Sequence, residues 1–185
     1  MKRFFELILS ITGLGVTFPL LVVLVPLVRL TSQGPAFFRQ ERVGRNQKSF
    51  VCWKLRTMAE GTKQAGTHEV SAAAVTPVGG FLRKTKLDEI PQLWNVLRGE
   101  MSFVGPRPCL PTQVELIEER EKQGVFSVLP GITGLGQIRG IDMSVPEKLA
   151  RCDAEYVEKR SLALDLRILW ETVMGAGRED RVRTS

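Results

Sequence analysis

The sequence is poor in the residues that build metal centres, disulfide frameworks and histidine-dependent catalytic sites: its 185 residues include one histidine and three cysteines. The single histidine, His68, argues against a histidine-rich metal site and against a Ser-His-Asp triad. The cysteines are odd in number and form no CxxC pair, so neither a zinc knuckle nor a disulfide framework is predicted, and we expect reduced cytosolic thiols. A catalytic base or nucleophile is therefore expected among the carboxylates.

Positive charge is concentrated in one segment of the chain. The formal net charge is +6, and residues 29–56 contain seven Lys and Arg residues against one acid, Glu41. Such a cluster suits phosphate groups, nucleic acid or anionic lipid, although most such clusters are only solvated surface. The chain has one tyrosine, and aromatic residues do not alternate with the cluster as a stacking platform requires. No nucleic-acid partner is therefore predicted.

An uncharged, mostly apolar run extends from Leu7 to Val28. As a helix it would span roughly 33 Å, against about 30 Å for the hydrocarbon core of a bilayer. Three interpretations are considered: a cleaved signal peptide, a helix that crosses the membrane once, and a re-entrant hairpin. The run is too long for a signal peptide, and no clear small-x-small cleavage site follows it.

Prolines and flanking charges favour the re-entrant interpretation over a spanning helix. Pro19 lies near the middle of the run, and a proline inside a helix bends or breaks it. Lys2 and Arg3 precede the run and Arg29 follows it, which favours cytoplasmic placement of both ends. We therefore predict a membrane bend at Phe18-Pro19, with the spanning helix as the alternative.

The rest of the chain predicts a small, mostly helical α+β domain with a few short strands. Residues 60–76 are polar and small and predict a loop. Residues 161–174 are apolar with sparse charges, which fits either a helix at the membrane interface or a core helix. Further strands are predicted at 36–44, 49–58 and 101–105, and further helices at 77–85, 88–98, 112–123 and 145–159.

Two adjacent carboxylates, Asp88 and Glu89, open the segment KLDEIPQLWNVLRGEMSFVGPRP at residues 86–108. Asp88 is predicted to cap a helix that ends at Gly99, and acids at a helix start are common for that reason alone. A carboxylate pair ringed by cations would instead suit Mg²⁺ and phosphate. The cations that the fold would need to bring together are Lys54, Arg56, Arg83, Lys84, Lys86 and Arg107.

Together these segments resemble the bacterial sugar transferases, and among them the small monotopic phosphoglycosyl transferases. The likeness covers nearly all of the chain in the family's order, and its most specific motif is LDE…PQL.NVL.G.MS.VGPRP. The other matching stretches are the apolar run with Pro19, FFRQERVGRNQKSFVCWKLRTM, LPGITGLGQIRG and DAEYVEKRSLALDLRIL.

The resemblance implies an enzyme at the cytoplasmic face of the bacterial inner membrane. A re-entrant helix-break-helix anchor would occupy residues 1–30, the catalytic domain 31–177 and a basic tail 178–185. The enzyme would transfer a sugar-1-phosphate from a UDP-sugar to a polyprenol (undecaprenyl) phosphate and release UMP, as the first membrane step of a glycoconjugate pathway. We expect the minimal catalytic form, because the extra transmembrane helices of larger relatives are absent, and a homodimer is left open.

The resemblance also implies roles for individual residues. Asp88 would be the nucleophile that forms a covalent phosphosugar intermediate, and Mg²⁺ at Asp88 and Glu89 would offset the charge of the diphosphate. Arg107 would hold a phosphate. Further candidates for phosphate binding are Lys54, Arg56, Arg83 and Arg139.

The chain departs from the family pattern at two places. Phe18 stands at the bend where members often have serine, and Leu135 replaces an aromatic residue of the glycine-rich loop. Two other functions stay open from the sequence. One is a membrane-anchored basic binding module without catalysis, and the other is a lipid-linked glycosyltransferase that releases UDP.

Overall fold

The structure, a computed structural model, describes residues 2–62 and 74–176. The expected basic tail, His68 and most of the polar loop at 60–76 lie outside the described residues. The predicted α+β class and the mostly helical domain are confirmed. The elements are α1 (Lys2–Thr31), β1 (Phe37–Val43), β2 (Ser49–Leu55), α2 (Pro77–Thr85), α3 (Gln92–Arg98), β3 (Ser102–Val104), α4 (Val114–Lys122), β4 (Gly131–Thr133), α5 (Leu135–Ile138), α6 (Pro146–Lys159) and α7 (Leu162–Val173).

The strands form two small sheets. β1 and β2 are antiparallel, with Phe37 opposite Leu55 and Val43 opposite Ser49. In β2 the alternation places Phe50 and Cys52 on one buried face. Leu55 lies on the opposite face and packs with Leu24 and Val28 of α1. β3 and β4 pair in parallel.

Close backbone packing, rather than an open loop, explains the glycines around β4. A Cβ atom on Gly131 would lie 2.1 Å from the backbone nitrogen of Gly105, and one on Gly134 would lie 2.2 Å from the Gly105 oxygen. Both contacts are far too short, so only glycine allows the two chain segments to approach. The glycine-rich stretch therefore fixes the turn that follows β3.

α1 is one uninterrupted helix that contains Pro19 and Pro26. The secondary structure has no gap at Phe18-Pro19, so the bend expected there stays a prediction. One stripe of α1 faces the domain along most of the helix. Its buried members are Glu6, Ser10, Leu24 and Val28, and half-buried residues with the same helical spacing are Leu7, Leu14, Leu21 and Val25.

Both ends of α1 contact the same domain. At the start of the helix, Lys2 Nζ lies 2.8 Å from Asp165 Oδ2 of α7. Near its end, Leu24 and Val28 pack in one cluster with Leu55 and Leu82. A straight helix of this length spans roughly 45 Å, so contact at both ends requires the domain to lie alongside α1 rather than beyond one end.

The outer face of α1 is apolar and exposed. α1 passes the length and composition test for a membrane-spanning helix, with a mean hydropathy of 2.4 over its most apolar part. α7 carries a second exposed apolar stripe, while its other face buries Asp165 and Ile168. The exposed members on α7 and just beyond its end are Leu162, Leu166, Trp170, Val173 and Met174. This exposed stripe favours the membrane-interface interpretation of α7 over the core helix.

Candidate active site

A cavity of about 370 Å³ opens between the β1–β2 hairpin, the end of α2 and the turn that precedes α3. Most predicted phosphate ligands line this cavity together with Asp88. It also has apolar walls from Phe37, Phe38 and Met58. Its charged and amide side chains are Gln40, Arg42, Lys54, Arg56, Glu60, Arg83 and Asp88.

Asp88 and Glu89 lie on a short 3₁₀ turn, Leu87–Glu89, and not at the N-cap of α3 as expected. Lys86 ends α2 in the left-handed conformation, with φ at 59°, and so separates the turn from α2. The residue before α3 is Pro91, which makes no side-chain cap. Both carboxylates are largely buried, with exposures of 6% and 9%, so neither is an ordinary surface helix start.

Glu89 is held by two cations from different elements. Lys54 Nζ donates to Glu89 Oε1 at 2.7 Å, and Arg107 Nη2 donates to the same oxygen at 3.0 Å. Burial by itself would raise the pKa of the Glu89 carboxyl. The charges of Lys54, Arg107 and Lys86 outweigh burial, and together they hold the pKa of Glu89 well below its usual range.

This pKa shift predicts a pH-dependent effect of the substitution Glu89→Gln. A carboxyl whose folded pKa is depressed contributes stability above its unfolded pKa of about 4.3, and loses that contribution as the pH falls toward the folded value. Glu89→Gln should therefore lower the melting temperature in detergent at pH 7, and the difference from the natural protein should shrink below about pH 4. Glu41→Gln, at an exposed position of β1, is the matched control. An equal difference at both pH values would contradict the assignment.

Arg107 lies in the Gly105–Pro108 turn, which is held in place by hydrogen bonds from Arg120 and from β1. The Arg107 carbonyl accepts a hydrogen bond from Arg120 Nη1 at 2.9 Å. At the far end of the turn, Val43 N of β1 donates to the Cys109 carbonyl at 2.9 Å. Both contacts hold the turn in the position from which the Arg107 side chain reaches Glu89.

Arg120 forms a buried ion pair that the sequence analysis missed. Arg120 Nη2 and Nε lie 2.6 and 3.0 Å from Asp153 Oδ2, and each side chain is only 2% exposed. The segment around Arg120, predicted as a helix over 112–123, is highly charged, which is typical of an exposed surface. The available signal was Leu116, four residues earlier on the same face of α4, which is also buried.

Of the remaining candidates, Arg83 and Arg56 line the Asp88 cavity and Arg139 does not. Arg83 is buried and lines the Asp88 cavity. Arg56 also lines it, but its Nη2 donates to the Ser32 carbonyl and hydroxyl at 2.8 and 2.9 Å, so it also ties β2 to the end of α1. Arg139 is not in the cavity lining. It pairs with Glu155 through both Nη atoms and borders a separate cavity of about 340 Å³.

Arg42 lines the Asp88 cavity and was not among the predicted site residues. Its Nη1 donates to the Pro108 carbonyl at 2.9 Å, and its Nη2 donates to Gln40 Oε1 at 2.5 Å. Burial, followed by the nearby charge of Arg107, lowers the pKa of Arg42 to about 10. The sequence analysis counted Arg42 only as one cation of a basic segment. In a strand, alternate residues lie on opposite faces, so Gln40 and Arg42 share one face of β1, and Arg39 and Glu41 share the other.

Asp88 and Glu89 could hold a magnesium ion only in a site where most of the ligands come from substrate and water. Among residues 2–62 and 74–176, no group of three or more His, Cys, Asp or Glu side chains could hold a metal. Mg²⁺ commonly uses one or two carboxylates and takes its other ligands from substrate phosphate and water. Asp88 at the cavity wall matches that donor set. Glu89 fits less well, because Oε1 already accepts from two cations.

Residues 1–178, which include every helix and strand described above, match one family, the bacterial sugar transferases. The chain belongs to the bacterial sugar transferase family. The resemblance drawn from the sequence motifs is thereby confirmed.

Individual relatives of this bacterial sugar transferase differ in length. It is 39% identical over 173 residues to the uncharacterized sugar transferase EpsL of Bacillus subtilis, and the match covers 94% of this chain and 85% of that protein. It is 39% identical over 184 residues to the UDP-glucose:undecaprenyl-phosphate glucose-1-phosphate transferase of Klebsiella pneumoniae. It is 36% identical over 190 residues to the UDP-galactose-lipid carrier transferase of Erwinia amylovora. The matches cover 93% and 94% of this chain but 39% of each of these two relatives.

Proposed function

We propose that this protein transfers a sugar-1-phosphate from a UDP-sugar to undecaprenyl phosphate or a similar polyprenol phosphate, and releases UMP. The observation that carries the proposal is the placement of Asp88, a largely buried carboxylate, in a cavity lined by Arg42, Lys54, Arg56 and Arg83. A carboxylate attacks a polyanion only when cations offset the repulsion. The relatives from Klebsiella pneumoniae and Erwinia amylovora, named for lipid-linked sugar transfer, support the substrate classes.

In the first half-reaction, an Asp88 carboxylate oxygen attacks the phosphorus that carries the sugar. The bond between that phosphorus and the bridging oxygen of the diphosphate breaks, and UMP leaves with the electron pair. The product is an aspartyl phosphosugar. Direct attack of the polyprenol phosphate on the UDP-sugar would bring two anions together in one difficult displacement. A covalent intermediate replaces it with two easier steps.

In the second half-reaction, an oxygen of the polyprenol phosphate attacks the same phosphorus. The bond from phosphorus to the Asp88 oxygen breaks, which restores the carboxylate and yields a polyprenyl diphosphate sugar. No separate base is needed, because the attacking phosphate oxygen already carries negative charge near neutral pH. This agrees with the single histidine of the chain.

The other polar residues bind and orient the phosphates. Glu89, which follows Asp88 in the chain, holds Lys54 and Arg107 beside each other, and Lys54 also lines the Asp88 cavity. Lysine and arginine in such a pair still have N–H groups that can donate to phosphate oxygens. Asp88, with Glu89 as the neighbouring carboxylate, would hold Mg²⁺. When bound, that ion supplies further neutralisation of the diphosphate charge.

The proposed acceptor is a lipid, so the active site must lie near the membrane surface. The exposed apolar faces of α1 and α7 supply the contact with the bilayer. Because both ends of α1 contact one domain, we place α1 in a single leaflet with both ends on the cytoplasmic side. A bend near Phe18-Pro19, as predicted from the sequence, would let the helix enter and leave the membrane on the same face.

Cysteine labelling tests this topology. One probe is a cysteine added ahead of Lys2, and the other is Gln33→Cys, just after α1. The three native cysteines are buried and contribute little background. In intact cells, a membrane-impermeant maleimide added outside should label neither probe, while a permeant maleimide should label both. Labelling of the N-terminal probe alone from outside would establish a spanning helix.

The released nucleotide tests the reaction class. The full chain in detergent, supplied with a panel of UDP-sugars, undecaprenyl phosphate and Mg²⁺, should release UMP with at least one donor. Release of UDP would identify a lipid-linked glycosyltransferase. Binding of anionic lipid with no nucleotide release from any donor would favour the non-catalytic basic module.

A further inference from the structure

We propose that Arg42 is a phosphate-binding residue of the Asp88 cavity and contacts a substrate phosphate directly. The proposal deepens the function proposed above and rests on it for the origin of the phosphate, either the donor diphosphate or the acceptor lipid. Arg42 had no assigned role in the sequence analysis.

Two neutral acceptors fix the Arg42 guanidinium. The Pro108 carbonyl binds Nη1 and the Gln40 side-chain oxygen binds Nη2. Gln40 is itself buried, with 7% exposure, so its side chain is restrained and positions the Arg42 guanidinium. Pro108 belongs to the same turn as Arg107, so Arg42 and Arg107 are positioned by one piece of backbone.

The guanidinium keeps donors available for a ligand. An arginine side chain has five N–H groups in a planar fork. Arg42 uses two of them in the contacts of the described residues. The other three N–H groups, one on Nε and one on each Nη atom, can donate to the oxygens of a phosphate.

The local charges leave Arg42 without a carboxylate of its own. Within residues 2–62 and 74–176, none of the ion pairs includes Arg42. Glu89, an acid whose charge acts on Arg42, gives one oxygen to both Lys54 and Arg107. Arg42 is crowded by the charge of Arg107. A polyanion between these side chains would relieve that repulsion, which neutral acceptors cannot do.

A purely structural role is the alternative, since the two hydrogen bonds also tie β1 to the Pro108 turn. Such a role would change stability and leave phosphate affinity per folded molecule unchanged. Arg39 offers a matched control for charge on the same strand. It is exposed, stacks over the Trp53 ring at 5.8 Å and is absent from the cavity lining.

Isothermal titration of the detergent-solubilised full chain with inorganic pyrophosphate tests the inference. The natural protein should bind pyrophosphate, and Arg42→Gln should weaken binding about ten- to a hundredfold, the loss expected for a charge-assisted hydrogen bond. Arg42→Lys should fall between them, because lysine keeps the charge but lacks the fork. Arg39→Gln should match the natural protein. A melting curve for each variant gives the folded fraction by which the affinity is normalised.

Unchanged pyrophosphate affinity in Arg42→Gln, or equal losses in Arg42→Gln and Arg39→Gln, would overturn the inference. So would failure of the natural protein to bind pyrophosphate. UMP release by the natural protein is measured in parallel, so failure of the proposed reaction is distinguished from failure of the Arg42 assignment.

Kinetics of the same variants identify which phosphate Arg42 contacts. If it holds the donor diphosphate, Arg42→Gln should raise KM for the UDP-sugar and reduce UMP release with donor alone. If it holds the lipid phosphate, KM for undecaprenyl phosphate should rise while release with donor alone is preserved. Unchanged values of both constants would contradict a substrate contact.

Discussion

Replacement of Asp88 by asparagine is expected to reduce UMP release to below about one thousandth of the natural rate, as loss of a catalytic nucleophile does in other enzymes. The side-chain amide has the shape of the carboxylate but lacks the anionic oxygen that attacks phosphorus. Asp88→Ala, which has no side-chain oxygen, should give the same result. The measurement is the rate of UMP release at saturating UDP-sugar and undecaprenyl phosphate.

The matched control is Asp142→Asn. Asp142 lies outside the Asp88 cavity and accepts a hydrogen bond from the Ser144 backbone nitrogen. This control should turn over at nearly the natural rate, and all three variants should show the cooperative melting of the natural protein. Turnover by a folded Asp88→Ala protein at a rate near that of Asp142→Asn would exclude Asp88 as the nucleophile.

The second large effect is expected on stability, from Asp153→Asn. The substitution leaves the fully buried Arg120 guanidinium without its counter-charge. Breaking a buried pair in this way costs about 3–5 kcal/mol, which lowers the melting temperature of a chain of this size by roughly 10 °C. The measurement is thermal unfolding of the purified full chain in detergent at pH 7.

Two comparisons make this prediction specific. Glu155→Gln breaks a pair whose carboxylate is 32% exposed and should cost less than about 1 kcal/mol. The double variant Arg120→Met, Asp153→Leu removes both buried charges and should recover most of the lost stability. Its UMP release should remain low, since the hydrogen bond from Arg120 to the Arg107 carbonyl is also lost. Equal melting temperatures for Asp153→Asn and Glu155→Gln would show that the buried pair contributes little.

The regular elements could be predicted from local pattern. The roughly alternating run SFVCWKLRTM indicated β2. Thr76 before Pro77 indicated the start of α2, where the Thr76 side chain accepts a hydrogen bond from Gly79 N. Gly99 ends α3 in the left-handed conformation, as predicted. These features depend on the residue and its close neighbours in the sequence, so a single chain is enough to find them.

The start of α3 could not be predicted in the same way. Aspartate is a common residue at a helix N-cap, which is why Asp88 was predicted to cap α3. The neighbouring Glu89 instead forms ion pairs with Lys54 and Arg107. The three residues belong to separate elements, so no spacing within the segment reveals their contact. The turn places Glu89 within hydrogen-bond distance of both cations.

The same distinction explains which site residues were found. The motif around Asp88 identified Glu89 and Arg107 because they lie within one segment. Arg120 and Asp153 are 33 positions apart, and only the packing of α4 against α6 brings them together. Arg42 was one of seven cations in a basic segment, and local pattern did not separate it from Arg39, which is absent from the cavity lining. Arg139 was included although it pairs with Glu155 outside the Asp88 cavity.

The central claim is that the Asp88 carboxylate becomes esterified to the phosphate that carries the sugar. Mass spectrometry of the full chain incubated with UDP-sugar and Mg²⁺, without acceptor, tests it most directly. We predict an adduct with the mass of one phosphosugar on the peptide that contains residue 88, which disappears when undecaprenyl phosphate is added. Steady release of UMP in the complete reaction, with no adduct on that peptide even after rapid quenching, would contradict the account.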